Sequence, residues 1–153
     1  MLMMNAHDPS GVTIRNLGMD DYDAVLRLWT EAGLPFRPLG RDSRASMAVQ
    51  LQRGTAFLLA AELEGELAGV VLGTHDGRKG WINRLAVRPA LRRRGIARLL
   101  VREVEARMSA AGLEVTAALI ETPNEGSLAF FKEVGYVHDE EIEYVSKRRT
   151  VDA

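Results

Sequence analysis

The apolar and polar positions of the first fifty residues predict one strand followed by two helices. Residues 12–17 are typical of a strand, and the helix after them begins at Asp20 or Asp21 and carries apolar side chains at helical spacing: Tyr22, Val25, Leu26 and Trp29. Gly33 ends this helix. A loop with two prolines covers residues 34–40, and a shorter helix begins shortly after it. Its first residue is predicted at Asp42 or Ser43, and it runs toward Gln52.

Three apolar runs separated by glycine-containing turns follow. Residues 56–63 and 66–74 lie on either side of the turn at residues 64–65, which is the pattern of an antiparallel hairpin. A second turn at residues 76–77 leads into a third strand over residues 81–87. This part of the chain is therefore predicted to be an antiparallel meander.

The pattern changes after residue 87, where a longer helix is predicted. It opens near Gly95, ends at Gly112 and carries one apolar stripe: Ile96, Leu99, Leu100, Val104 and Met108. Glu103 and Arg107 are spaced to pair on another face of this helix. Residues 115–120 form a buried strand, so the strand before the helix and the strand after it should be parallel with a right-handed crossover.

The last forty residues predict a short helix and two final strands. The helix covers residues 123–134, with Thr122 as the cap of a capping box, and the strands cover residues 136–138 and 141–146. The expected fold class is α+β, a mixed, mostly antiparallel sheet with a central parallel strand pair and helices on both faces. One domain is expected over residues 11–150, after a loosely ordered segment at residues 1–10.

Composition and charge exclude several classes of protein. The chain has 153 residues and no cysteine, which argues against a disulfide scaffold, a cysteine-ligated zinc and a thiol nucleophile. No metal site is expected. The formal net charge is -1, so overall electrostatics favour neither nucleic acid nor a membrane as a partner. No apolar run reaches the roughly 18 residues of a membrane-spanning helix. A cytoplasmic location is expected.

The turn before the long helix has the features of an anion site. Arg92, Arg93 and Arg94 supply positive charge, and Gly95 and Ala97 allow a ligand to approach the backbone at the start of the helix. The glycine patterns of dinucleotide-binding folds and of P-loops are both missing from this turn. The pattern favours a phosphorylated ligand of another kind.

These residues resemble the central motif of the GNAT superfamily of acyl-CoA-dependent N-acetyltransferases. The family pattern R/Q-x-x-G-x-G/A is matched by Arg92, Gly95 and Ala97. Residues 85–89 (LAVRP) are similar to the splayed strand before that motif, and residues 124–136 (NEGSLAFFKEVGY) are similar to a later family segment. The resemblance covers nearly the whole chain in element order.

The resemblance implies acetyl-CoA as cosubstrate and assigns its binding residues. Backbone amides over residues 93–97 would bind the pyrophosphate, residues 85 and 87 would pair with the pantetheine arm, and Asn124 would reach that arm from the other side. The implied coenzyme-binding residues are Leu85, Ala86, Val87, Arg92, Arg93, Arg94, Gly95, Ile96, Ala97, Asn124 and Phe131.

The acid and base of the reaction are less clear from the sequence. Phe131 occupies the position where many family members carry a tyrosine that protonates the leaving thiolate, and phenylalanine cannot donate a proton. Tyr144 is the preferred substitute, ahead of Tyr136. On the strand before the motif, the inward-facing residue is Asn83 or Arg84, depending on the register.

The remaining candidate base is Glu121, acting directly or through water, while Asn83 would position a water. The Val87 N–H would polarise the thioester carbonyl. The implied reaction is direct acetyl transfer from acetyl-CoA to a primary amine of a small molecule or a protein. The alternative is an acyl-CoA-binding module with reduced or lost catalysis.

The acceptor should enter between the loop at residues 34–40 and the last strands. Arg37 and Arg41 lie on the loop side, and the opposite side carries acids: Asp139, Glu140, Glu141 and Glu143. Acid favours a cationic amine, and arginine favours an acceptor with a carboxylate. Assembly as a homodimer stays open.

Overall fold

A five-stranded sheet forms the middle layer of the structure, a computed structural model that describes residues 11–153. The expectation for residues 1–10 lies outside the described residues. The strands lie side by side in chain order: β1 (Val12–Leu17), β2 (Ala56–Leu63), β3 (Glu66–His75), β4 (Gly80–Val87) and β5 (Thr116–Ala118). Pairing is antiparallel from β1 to β4 and parallel between β4 and β5. The predicted meander and the predicted parallel pair are confirmed.

Two layers of helices cover the two faces of this sheet. One core cluster joins the first two helices to the sheet, and the other joins the last two to its opposite face. The helices are α1 (Tyr22–Glu31), α2 (Arg44–Gln52), α3 (Ile96–Ala110) and α4 (Glu125–Glu133). The predicted α+β class with helices on both faces is confirmed.

The turn between β2 and β3 shows how local sequence determines the pairing. Glu64 and Gly65 both have positive φ, at 54° and 79°, which is the backbone of a two-residue hairpin turn. This turn places Leu63 opposite Glu66. The register carries the apolar side chains of β2 alternately into the two core clusters, Leu58 and Ala60 into one and Leu59 and Ala61 into the other.

A β-bulge interrupts the pairing of β3 with β4. Val70 lies opposite Ala86 and Leu72 lies opposite Asn83, so Arg84 and Leu85 together face a single residue of β3. Arg84 has a φ of 48°, in the left-handed region that a side chain other than glycine rarely adopts. The extra residue breaks the alternation of side chains, and two consecutive ones then point to the face of α1 and α2.

Hydrogen bonds on that face show that Asn83 and Arg84 both point to it. The Asn83 Nδ2 donates to Thr74 Oγ1 at 2.8 Å, and the Arg84 guanidinium donates to Asp42 in the loop between α1 and α2. The sequence left open whether Asn83 or Arg84 faces that side. Both do, because of the bulge.

The C-terminal third departs from prediction in three places. The strand predicted at residues 115–120 is confined to Thr116–Ala118, and the strands predicted at 136–138 and 141–146 are not formed. Those two segments lie beside no described strand, and apolar side chains along them stay exposed: Val137, Ile142, Tyr144 and Val145. α4 begins at Glu125 because Asn124, and not Thr122, caps it.

α3 is buried on a slightly different stripe from the predicted one. Val101 is buried and Leu99 only partly, whereas the other predicted positions are buried as expected: Ile96, Leu100, Val104 and Met108. Glu103 and Arg107 form the predicted pair, with 3.3 Å between Oε1 and Nε. Within residues 11–153, no helix combines the length and the apolar character that crossing a membrane would require.

Truncation of Leu100 should test the contribution of α3 to the core. Leu100 is fully buried, so Leu100→Ala should lower the free energy of unfolding by about 2–5 kcal/mol through lost contacts and a cavity. The same change at Leu39, which is 79% exposed, should alter it by less than about 0.5 kcal/mol. Urea denaturation measures both, and equal effects would contradict the packing described here.

Candidate active site

An opening between β4 and β5 forms the centre of the site. The two strands pair only from Gly80–Thr116 to Ile82–Ala118, whereas β4 continues to Val87. Beyond Ile82, the edge of β4 that faces away from β3 therefore has no strand partner among residues 11–153. The predicted splay of this strand is present in the fold.

The alternation of N–H groups along β4 shows which of them face this opening. The Arg88 N–H donates to the Ala68 carbonyl on β3 at 2.8 Å. Because N–H groups alternate between the two edges of a strand, the Ala86 N–H points to β3 as well. The N–H groups of Leu85 and Val87 point to the opening, as an incoming extended ligand would need.

The first turn of α3 lies directly after this strand and is rich in free donors. Gly95 is the N-cap residue with a φ of 77°, and it has no side chain to cap the helix. The N–H groups of residues 93–98 donate to no acceptor in the described part of the chain. Together with the helix dipole, these groups form a concave, positively polarised surface that suits a phosphate or pyrophosphate.

The arginines near this turn have different environments. Arg92, Arg93 and Arg94 are all exposed, and they differ in their hydrogen bonds. Arg92 donates through Nη2 to the carbonyl oxygen of Ala32, the C-cap of α1, at 3.1 Å, and Arg98 pairs with Glu133 of α4 at 3.0 Å. In the described part of the chain, the side chains of Arg93 and Arg94 form no hydrogen bond and can contact an anion. The Arg92 side chain instead donates to the end of α1.

Asn124 lies at the N-terminus of α4. Its Oδ1 accepts from the Ser127 N–H at 3.1 Å, so the side chain caps the helix that Thr122 was predicted to cap. That prediction was wrong because helical geometry begins only at Glu125, two residues after Pro123. The Asn124 Oδ1 therefore caps α4, and the amide nitrogen of the same side chain is left to donate to a ligand.

Phe131 and Tyr136 pack against each other beneath α3. Their rings meet edge to face with 5.1 Å between centroids, and Phe131 is 8% exposed. The Tyr136 hydroxyl donates to Glu105 Oε2 at 3.1 Å. Burial, reinforced by the charge of Glu105 and this hydrogen bond, raises the pKa of Tyr136 well above its usual range. Both aromatic side chains thus serve the contact between α3 and α4.

Tyr144 and Glu121 were the other candidate acid and base. Tyr144 is 67% exposed and lies on an extended segment, not on the predicted last strand. Glu121 is exposed in the loop after β5, past the point where that strand ends. Neither has a hydrogen bond to the other described residues. The structure does not bring these two residues together with Asn83.

Asp42 is a residue of the site that the sequence gave no reason to select. It was predicted only as a helix start, and Ser43 performs that role by accepting from the Ser46 N–H. Asp42 is instead buried, at 2% exposure, and pairs with Arg84 at 2.8 Å. The signal for this pair was Arg84 itself, because a cation inside an apolar strand needs a buried partner.

No cluster of three or more histidine, cysteine, aspartate or glutamate side chains arranged to hold a metal ion occurs within residues 11–153.

Comparison with known proteins identifies the family of this fold and site. The model of the acetyltransferase (GNAT) family matches residues 22–136. An acetyltransferase of Pectobacterium atrosepticum is 31% identical over 123 residues, which is 80% of this chain and 86% of the relative. The chain belongs to the GNAT family, and it is an acetyltransferase with acetyl-CoA as cosubstrate.

Solved structures share the fold at much lower identity. The structure of AAC(6')-Iy with the bisubstrate analogue CoA-S-monomethyl-acetylneamine matches with a TM-score of 0.76 at 17% identity, covering 91% of this chain and 99% of that one. An aminoglycoside acetyltransferase from an uncultured soil metagenomic sample, solved with trehalose, matches with a TM-score of 0.75 at 17% identity and covers 92% and 97% of the two chains. These likenesses establish the fold.

Valine at Gly95 should abolish acetyl-CoA binding. The left-handed φ of Gly95 strains any side chain there and would distort the start of α3 that offers the free N–H groups, so we expect Gly95→Val to weaken binding more than about 100-fold in calorimetry. Gly112→Val is the matched control, because Gly112 has a φ of 80° just after the other end of α3. The control should lose similar stability and keep its affinity, and unchanged affinity of Gly95→Val would refute the site.

Proposed function

We propose that this protein transfers the acetyl group of acetyl-CoA directly to a primary amine in a ternary complex. The observation that carries the proposal is the unpaired edge of β4, which runs from the bulge straight into the free N–H groups at the start of α3. An extended chain ending in a pyrophosphate has the shape and the acceptors that this surface requires.

In this proposal the coenzyme lies along β4 with its pyrophosphate on residues 93–97. The pantetheine amides pair with the Leu85 N–H and with the backbone carbonyl oxygens on the same open edge of β4, which leaves the Val87 N–H for the thioester. Arg93 and Arg94 screen the outer phosphates. The Val87 N–H donates to the thioester carbonyl oxygen and stabilises the negative charge that develops there.

The reaction itself needs few groups from the protein. The lone pair of a neutral amine attacks the thioester carbon, the tetrahedral intermediate collapses, the C–S bond breaks, and the thiolate of CoA leaves. A thiol is much more acidic than an alcohol, so its thiolate can leave without a proton donor. Asn83 keeps its Oδ1 available while Nδ2 donates to Thr74, so it can hold the water that accepts the proton from the amine.

For the acceptor, we favour a cationic small-molecule amine. Acidic side chains are exposed along the C-terminal segment that faces solvent after α4: Asp139, Glu140, Glu141 and Glu143. Two similar folds also belong to proteins solved with a CoA–acetylneamine analogue or described as an aminoglycoside acetyltransferase. A protein amine is the alternative acceptor, and we propose a cytoplasmic location, where acetyl-CoA is available.

The same C-terminal segment favours assembly as a homodimer. Val137 is 90% exposed and Val145 is 88% exposed, which is unusual for apolar side chains in one short segment. Sedimentation would decide this point independently of the activity.

Thiol release from acetyl-CoA over a panel of amines tests the proposed reaction. The panel comprises an aminoglycoside, a linear polyamine and a peptide with a free N-terminus, each with its N-acetylated form as control. We expect amine-dependent CoA release with the first two. Tight acetyl-CoA binding without turnover on any amine would instead support the alternative of a binding module.

A tyrosine at position 131 should not accelerate the reaction. Phe131 packs under α3 at 8% exposure, so the hydroxyl of Phe131→Tyr would enter the core and not the opening. We expect an unchanged kcat and a free energy of unfolding lower by about 1–3 kcal/mol, because the buried hydroxyl lacks a partner. A large rise in kcat would contradict this and indicate a catalyst that had lost its acid.

The pH dependence should follow the acceptor and not the enzyme. Asn83 has no ionisable group, so kcat/KM should rise with pH until the amine is deprotonated. Two amines of the same shape whose pKa values differ by about two units should shift the profile by the same amount. Identical profiles for both amines would reveal a titrating base in the protein.

A further inference from the structure

The loop between α1 and α2 is fastened at both ends by arginines of the segment that carries the coenzyme contacts. Arg84 of the bulge binds the end of the loop at Asp42, and Arg92 of the turn before α3 binds its start at Ala32. Residues 33–41 therefore span from one of these contacts to the other. The loop faces the side from which the acceptor amine should approach.

The contact at Asp42 is the stronger of the two. Asp42 is the one charged side chain that is fully buried among the described residues, and its Oδ2 accepts from Arg84 Nη2 at 2.8 Å, Arg84 Nε at 3.2 Å and the Arg37 N–H at 2.7 Å. The Tyr22 hydroxyl also donates to the Asp42 carbonyl at 2.7 Å. A buried carboxylate with three donors holds its position closely.

The contact at Ala32 fastens the start of the loop. Arg92 Nη2 donates to the carbonyl that ends α1 at 3.1 Å, and Arg88 lies 3.8 Å from Glu31 on the same turn of that helix. Phe36 then packs on Trp29, with 5.5 Å between ring centroids. Between these anchors, residues 38 and 39 are exposed.

We propose that Arg84 and Arg92 are positioning residues for the acceptor loop, and that Arg92 determines acceptor binding and not coenzyme binding. The inference rests on the proposed function. Arg92 occupies the position that the family motif reserves for the coenzyme, but its exposed side chain donates to the carbonyl that ends α1. The pyrophosphate then depends on backbone N–H groups and on the exposed neighbours Arg93 and Arg94.

The arrangement links the two substrates through one short stretch of chain. Arg84 lies one residue before the N–H of Leu85, and Arg92 lies one residue before the pyrophosphate cradle at residues 93–97. These two contacts therefore fix the distance between the loop and the thioester of the bound coenzyme. An error of about 1 Å in this distance can cost two orders of magnitude in rate, so the distance matters for transfer.

Matched variants separate the two roles. Arg92→Gln and Arg94→Gln change neighbouring motif arginines, one bound to α1 and one free. We expect Arg92→Gln to raise the acceptor KM about tenfold with an unchanged Kd for acetyl-CoA. Arg94→Gln should instead raise the Kd for acetyl-CoA about tenfold with an unchanged acceptor KM. Calorimetry gives the Kd. Backbone hydrogen exchange over residues 33–43 should be faster in Arg92→Gln but unchanged in Arg94→Gln.

The buried pair needs variants that keep the fold. Asp42→Asn alone leaves Arg84 uncompensated, so it is compared with the double variant Asp42→Asn/Arg84→Gln, which buries no charge. Both should retain acetyl-CoA affinity, exchange faster over residues 33–43 and show a raised acceptor KM. Asp23→Asn, in the exposed pair of Asp23 with Arg44 between α1 and α2, should change none of these.

Two results would overturn the proposal. One is a loss of acetyl-CoA affinity in Arg92→Gln as large as that in Arg94→Gln. The other is unchanged exchange over residues 33–43 in the double variant. Calorimetry and exchange need no acceptor, so they decide the proposal even if the wild type releases no CoA with any amine, which is the result that would contradict the proposed function.

Discussion

The buried contact between Arg84 and Asp42 is the interaction on which the geometry of the site depends. Taking a carboxylate to 2% exposure is costly unless donors surround it, and the guanidinium and a backbone N–H supply them. The same guanidinium comes from a residue in a left-handed conformation, at a φ of 48°. The pair therefore stabilises a backbone geometry that the strand would otherwise avoid.

The opening of the sheet follows from that geometry. A bulge increases the local twist of a strand, and β4 loses its pairing with β5 after Ile82, two residues before Arg84 of the bulge. The strand edge freed in this way exposes the N–H groups of Leu85 and Val87 and leads into the uncapped start of α3. The bulge thus lies where the two strands part and places Asn83 and Arg84 on the same face, whereas the free donors of α3 come from its uncapped start at Gly95.

Features that depend on neighbours in sequence could be predicted, and features that depend on distant partners could not. The period of the apolar residues identified α3, and the paired turn residues identified the hairpin of β2 and β3. The bulge could not be predicted, because its cause is a residue more than forty positions away. The prediction of the two final strands was wrong for the same reason. Their apolar residues do alternate, but no described strand lies beside them to pair with. The cap of α4 was predicted one turn too early, at Thr122 and not at Asn124, because Thr and Asn are both good caps and the backbone geometry selects between them.

The aromatic cluster under α3 explains why the chain carries no evident acid. Phe131 and Tyr136 are both engaged in joining α4 to α3, and the hydroxyl of Tyr136 is bound to Glu105. In the reaction that we propose, neither side chain supplies a proton, and the protein acts by positioning the two substrates. Placement can be sufficient for a good leaving group such as a thiolate.

The exposed middle of the loop between α1 and α2 has a consequence for how such an enzyme can acquire new substrates. Hydrogen bonds from Arg84 and Arg92 hold its two ends, whereas residues 38 and 39 are exposed. Changes confined to this tip leave the core, the bulge and the coenzyme surface unaltered. If the acceptor binds where we propose, substitutions at residues 38 and 39 would change the amine that is accepted while altering the free energy of unfolding by less than about 0.5 kcal/mol each.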